Sequence, residues 1–272
     1  MAGPYLSFSV ANHGMRKTLA SERTMDHITN HLGQPVGRPL PRWRSPAVPA
    51  REPLQGRFCR LELLDADLHA VHLHAANALD AEGRMWTYLP YGPFDSLESY
   101  RAWVEEMGRR DDPLLYAITD LARGTPVGVA GYLRVDAKCG SIEVGHLAYS
   151  PLLQRTPVAT EAMFLLMERA FALGYRRYEW KCDALNGPSR AAALRLGFTF
   201  EGIFRQATVV KGRSRDTAWF SIIDPEWPAI REAFRHWLDP ANFDERGEQR
   251  MRLSSFTTGK VGEVVASAGL RD

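Results

Sequence analysis

A strand, a helix and a second strand follow one another without slack between Ser141 and Cys182, and no other feature restricts the fold of this chain so much. Residues 141–149 read as a strand. Residues 157–173 read as a helix, with Pro157 in its first turn and Gly174 just past its end, and residues 176–182 read as another strand. A helical crossover returns the chain to the end where the first strand began, so parallel pairing of the two strands is expected.

The flanking segments add antiparallel pieces. Residues 114–121 and 127–135 are strands joined across Arg123-Gly124-Thr125-Pro126, and a turn at Lys138-Cys139-Gly140 leads into residues 141–149, so a three-stranded meander is predicted. Upstream, residues 57–64 alternate as a strand and Asp67 is placed to cap a helix running to Ala78. Asp95 or Ser96 caps a second helix to about Arg109, with Leu97, Tyr100, Trp103, Val104 and Met107 on one face. Downstream come a short helix over 188–196, strands over 198–210 and 216–223 flanking a turn at 211–215, and an amphipathic helix over 226–238. The expected fold class is α/β, in the sense of a mixed α+β sheet flanked by helices. Residues 1–54 read as an irregular arm, 55–238 as the domain and 239–272 as an unassigned tail, with Met25 an alternative start.

Composition excludes several classes of function. Lys and Arg number 34 against 32 Asp and Glu, and a net charge of +2 gives no general attraction to nucleic acid or membrane. No run reaches the roughly 18 to 20 apolar residues of a membrane span, and the first residues lack the apolar core of a signal peptide. Cys59, Cys139 and Cys182 are odd in number and widely spaced, which suits a reducing, cytoplasmic setting better than a disulfide framework. His69, His72 and His74 have no acidic or thiolate partner nearby and two of them cannot share a helix face, so no metal is expected. Neither a P-loop nor a dinucleotide fingerprint occurs.

Three stretches carry chemistry: Glu143-Val144-Gly145-His146-Leu147-Ala148-Tyr149, then Gln154-Arg155-Thr156-Pro157-Val158-Ala159-Thr160, then Asn186-Gly187-Pro188-Ser189 with Leu196-Gly197-Phe198. Together with the element order they resemble the GNAT superfamily of acetyltransferases, in particular its ribosomal-protein alanine acetyltransferase branch. The resemblance covers about residues 57–225. It implies an acyl-CoA N-acyltransferase fold with a splayed parallel strand pair, acetyl-CoA as co-substrate and an amine acceptor, either a protein N-terminus or a small amine, attacking directly in a ternary complex. The alternative is a non-catalytic acyl-CoA sensor.

That resemblance assigns the cofactor to Leu147, Ala148, Gln154, Arg155, Thr156, Val158, Ala159, Thr160 and Asn186. Pro157 replaces the usual first glycine and lacks an amide hydrogen, so phosphate recognition is expected to shift toward Arg155, the Thr156 hydroxyl and the remaining amides of the helix start. Gly145 within a strand suggests a bulge or close approach. Glu143, preferred over His146, is the candidate base, and Ser189 the candidate acid that protonates the leaving thiolate. Trp86, Tyr88 and Tyr91 lie where this fold builds its acceptor pocket, although packing beneath a loop explains them equally well. The aromatic face of the 226–238 helix, read as exposed, makes a homodimer conceivable.

Overall fold

One strand near the middle of the chain buries Leu114, Tyr116 and Ile118 on one side and Leu115 and Ala117 on the other. A strand covered on both faces requires packing layers above and below the sheet.

The computed structural model describes residues 27–257, and the chain divides into two compact units, Met1–Trp43 and Arg44–Asp272. In the first unit β1 (His27–Thr29) and β2 (Pro35–Gly37) pair as an antiparallel hairpin, where only an irregular arm was expected. Asn30 closes it by accepting the Leu32 and Gln34 amides on Oδ1, each at 3.0 Å. The suggested start at Met25 lies outside the described residues.

The second unit runs β3 (Leu54–Gln55), β4 (Cys59–Leu63), α1 (Ala66–Asn77), a 3-10 turn (Arg84–Trp86), α2 (Leu97–Gly108), β5 (Leu114–Asp120), β6 (Thr125–Asp136), β7 (Ser141–Tyr149), α3 (Pro157–Ala172), β8 (Arg177–Asp183), α4 (Gly187–Arg195), β9 (Thr199–Val210), β10 (Arg213–Ile223) and α5 (Trp227–Leu238). The sheet order is β3-β4-β5-β6-β7-β8-β10-β9. Every neighbouring pair is antiparallel except β7 and β8, which are parallel as the helical crossover requires. Side chains of α3 and α5, among them Leu166, Met167 and Phe234, fill one face of the sheet, and those of α1 and α2, among them Leu73, Tyr100 and Val104, fill the other.

Three details depart from the sequence reading. Asp65, not Asp67, caps α1, because its carboxylate accepts the Asp67 and Leu68 amides at 2.8 and 2.9 Å. The aromatic face of α5 is turned inward, with Phe234 fully buried and Trp227 stacked on Phe171, so it offers no exposed surface for a homodimer. The segment after α5 is structured as far as it is described. A 3-10 turn (Pro240–Asn242) follows, Trp237 Nε1 donates to Gln249 Oε1 at 2.7 Å, and Leu253 joins the core.

Candidate active site

The parallel ladder between β7 and β8 runs from Ser141 opposite Arg177 to Val144 opposite Trp180 and then stops, although β7 continues to Tyr149 and β8 to Asp183. A bulge explains the parting. On the β6 side Gly131 faces Gly145 but Val129 faces Ala148, so His146 and Leu147 together oppose one residue. His146 takes up the extra length at φ 54°. Bulges sharpen local twist and bend a strand, here away from its parallel neighbour. Gly145 stands beside the bulge, close against Leu133, where an added Cβ would come within 2.8 Å. A cleft of about 240 Å³ opens in the fork, lined by Glu143 to Leu147, Trp180 to Asp183, Asn186, Ser189, Arg215 and the loop residues Met85, Tyr88, Leu89 and Pro90. Unladdered strand backbone along such a fork suits an extended arm that pairs as an added strand.

At the fork's outer end α3 begins. Thr156 is its N-cap and Pro157 its first residue. The Thr156 hydroxyl accepts the Ala159 amide at 3.2 Å and donates to Leu153 O at 2.7 Å, so hydroxyl and amide are both committed within the chain. Arg155 is exposed in the left-handed region at φ 61°, and Gln154 donates its side-chain amide to Tyr149 O. Val158, Ala159 and Thr160 are buried in the first turn. Sequence reasoning overlooked Arg195, which donates to Thr160 Oγ1 at 2.7 Å and brings a guanidinium to the same turn. Burial lowers its pKa.

Inside the cleft, Glu143 is almost fully buried and its oxygens are shared among three donor atoms of two cations. Arg134 Nε lies 2.7 Å and Nη2 2.5 Å away, and Lys181 Nζ is 2.8 Å away. Lys181 also reaches Glu179 at 2.8 Å and sits 3.8 Å over the Trp219 ring. Burial alone would raise the Glu179 pKa, yet Lys181 and Arg177 hold it below the usual carboxylate range. Arg134 occupies a second bulge at φ 49°, where Asp112 accepts its amide and that of Val135. Neither Arg134 nor Lys181 stood out in the sequence. The only signal was charge alternating with Trp180 and Cys182 along a strand.

His146 stacks on Tyr91 with ring centroids 5.6 Å apart, and its Nδ1 lies 3.3 Å from the Tyr91 hydroxyl. Burial, with Arg134 and Arg110 adding to it, lowers its pKa from 6.5 to about 4. Between those values the unfolded chain binds a proton that the folded chain does not. Stability is therefore complete above about pH 6.5 and falls as the pH drops toward 4. We expect His146→Gln to lose about 2 kcal/mol less than the wild type between pH 7 and about pH 4.5 in urea unfolding. Parallel pH profiles for the two proteins would overturn this. Burial lowers the His69 pKa too, and the same residue is present in both proteins, so the comparison isolates His146.

Across the fork, Ser189 sits in the first turn of α4, its amide donating to Asn186 Oδ1 at 3.1 Å and its hydroxyl accepting from Trp180 Nε1 at 3.0 Å. The hydroxyl also touches the Cys182 thiol, whose pKa is raised by burial and partly restored by that contact. Of the three aromatic candidates, Tyr88 lines the cleft and bonds Leu185 O, whereas Trp86 is buried against Phe94 and Tyr91, and Tyr91 supports His146 from behind. Among the described residues no cluster of three or more His, Cys, Asp or Glu is placed to hold a metal, and no helix is long and apolar enough to cross a membrane.

The arrangement has relatives. Residues 60–199, just over half of the chain, match the sequence profile of the acetyltransferase (GNAT) domain. A GCN5-related N-acetyltransferase from Brucella melitensis is 45% identical, with 80% of this chain and 100% of that one covered at a TM-score of 0.79. A protein from Chromobacterium violaceum ATCC 12472, described as a probable acetyltransferase (GNAT family), is 42% identical over 72% and 98% of the two chains at 0.67. RimL, a ribosomal L7/L12 alpha-N-protein acetyltransferase, is 22% identical over 63% and 94% at 0.55, a likeness of fold alone. No curated protein matches the sequence. A family match over half the chain, and high identity across the whole of a solved relative, make this chain a member of the GNAT acetyltransferases, enzymes that move an acetyl group from acetyl-CoA to an amine.

Proposed function

We propose that the acetyl group passes directly to a primary amine in a ternary complex, at the fork between β7 and β8. The observation that carries this reading is the parallel pair that parts beyond Val144 and Trp180 with His146 on one arm and Ser189 by the other. Acetyl-CoA, when bound, supplies the activated acetyl thioester. Its pantetheine arm would lie along Gly145 to Ala148 and Asn186, and its phosphates would meet Arg155, Arg195 and the first turn of α3. A backbone amide near Leu147 or Ala148 would oppose the negative charge that develops on the carbonyl oxygen.

A base with a pKa near 4 cannot strip a free ammonium at neutral pH. The acceptor therefore enters as the neutral amine, and its nitrogen becomes acidic enough to hand a proton to His146 only as the C–N bond forms. We assign that acceptance to His146 over Glu143, since the Glu143 oxygens already hold Arg134 and Lys181. Ser189 is the donor to the departing thiolate, since the Trp180 indole donates to its oxygen and leaves the O–H as the group it can give. A protein N-terminus, as in the ribosomal-protein branch, or a small amine is the acceptor, in a reducing cytoplasmic setting suited to three free cysteines.

Release of free CoA thiol with a panel of amines tests the reaction. Ser189→Ala is expected to lower kcat by about 100-fold with the KM for acetyl-CoA little changed. An unchanged kcat, or a loss confined to KM, would remove Ser189 from the acid role.

A further inference from the structure

Most of the charge that lines the cleft is internally matched. Glu143 holds Arg134 and Lys181, and Lys181 is shared with Glu179. Arg215 is different. It lines the same cleft, it makes no ion pair with a carboxylate among the described residues, and its Nε is shut off from solvent without a hydrogen-bond partner. A buried N–H left unpaired is rare in native proteins and calls for an explanation. The strand beside it is held, because the next residue, Asp216, accepts the Ala184 amide on its carbonyl at 2.9 Å and the Gln206 amide on its carboxylate at 2.7 Å. The side chain thus springs from an anchored point of the strand.

We propose that Arg215 selects the acceptor by binding a carboxylate that the attacking amine carries. This rests on the acetyl-transfer reading above. A guanidinium offers a planar fork of donors whose geometry matches a carboxylate, and its two Nη groups together form one side of that fork. A single unmatched positive charge suits a monoanion. A phosphate dianion would bring excess negative charge into a cleft that already holds Glu143 and Asp183. Asp183, whose Oδ1 takes the Leu185 amide at 2.8 Å, also lines the cleft and favours an acceptor whose amine end brings N–H donors. The acceptor class is then an amino acid, or a peptide with an acidic residue near its free N-terminus.

The test compares kcat/KM for matched acceptors: an amino acid against its carboxamide, and a peptide amide with Glu at its second position against the Gln version. The ratio within each pair is the readout, so any general loss of activity cancels. The wild type is expected to prefer the carboxylate member of at least one pair by about 10- to 100-fold. The pair that responds identifies whether the carboxylate belongs to a free amino acid or to a peptide side chain. Arg215→Gln should bring that ratio to near one, and Arg215→Lys, which keeps the charge without the fork, should fall between. A wild-type ratio near one in both pairs, a ratio unchanged in Arg215→Gln, or a preference for an aminoalkyl phosphate over both carboxylates would overturn the proposal. If no amine of any kind releases CoA thiol, the acetyl-transfer reading itself fails, which is a separate and visible outcome.

Discussion

Replacing Glu143 by alanine is expected to destabilise the fold by about 3 kcal/mol. The side chain is 2% exposed and is the shared counter-ion of Arg134 and Lys181. Removing one member of a buried charge network strands the others in a poor solvent for charge, typically at a cost of about 3–5 kcal/mol. Two features pull the value to the lower end. Lys181 keeps Glu179 at 2.8 Å, and the Arg134 side chain is 59% exposed, so it can turn to water. Glu143→Gln keeps the shape but removes the charge, and is expected to cost less than the alanine variant. The midpoint of urea unfolding should drop with its slope unchanged. A loss below about 1 kcal/mol in Glu143→Ala would mean that the network is not a structural hub. Kinetics separate the hub from the base: if Glu143 itself takes the amine proton, Glu143→Gln lowers kcat far more than its loss of stability accounts for, whereas a hub variant keeps most of kcat in the fraction that stays folded.

The contrast between Glu143 and the loop at 154–160 shows what a sequence can disclose. The bounds of β7 fall at Ser141 and Tyr149 and α3 starts at Pro157, all as the local punctuation predicts, because proline, glycine and alternation act within a few residues. The fork between β7 and β8 follows from the same punctuation once a helical crossover is recognised. The charge network does not follow. Arg134 reaches Glu143 only because β6 bulges at a residue of positive φ, and Lys181 reaches it only across a parallel ladder. Arg215 was hidden for a different reason. A charged run around Gly212 looks like a turn, but β10 already begins at Arg213 and sets Arg215 opposite Thr208. The three-residue strands of the hairpin formed by β1 and β2 are exposed throughout and carry no alternation for a sequence to display. Trp86 is a different case: the resemblance offered it for the acceptor pocket with packing beneath a loop as an equal alternative, and its burial in the core favours the packing.

Glu161→Ala is expected to be at least as damaging as the loss of Glu143, about 4 kcal/mol, though it lies away from the cleft lining. Glu161 is 4% exposed on the second turn of α3 and accepts three consecutive backbone amides at the entry to β4. Oε1 takes Arg57 N at 2.8 Å, and Oε2 takes Phe58 N at 2.6 Å and Cys59 N at 2.8 Å. The carboxylate does here what a neighbouring strand would do, and Gly56 makes room for it, since a Cβ there would come within 2.4 Å of Oε2. Alanine leaves amides without acceptors in a region water reaches poorly, at about 1–3 kcal/mol for each that stays unpaired. The exposure of Arg57 and the partial exposure of Phe58 moderate the sum. Glu161→Gln is not a benign replacement, because its amide hydrogens would face N–H donors. Since Glu161 follows Thr160, which receives Arg195, loosening this joint also loosens the turn expected to meet the phosphates, so the KM for acetyl-CoA should rise in the fraction that stays folded. Hydrogen exchange at the Phe58 and Cys59 amides reads the joint directly: both should exchange about 100-fold faster or more in Glu161→Ala under native conditions. Unchanged protection at those two amides, with unfolding within about 1 kcal/mol of the wild type, would show that α3 and β4 are held by apolar packing alone.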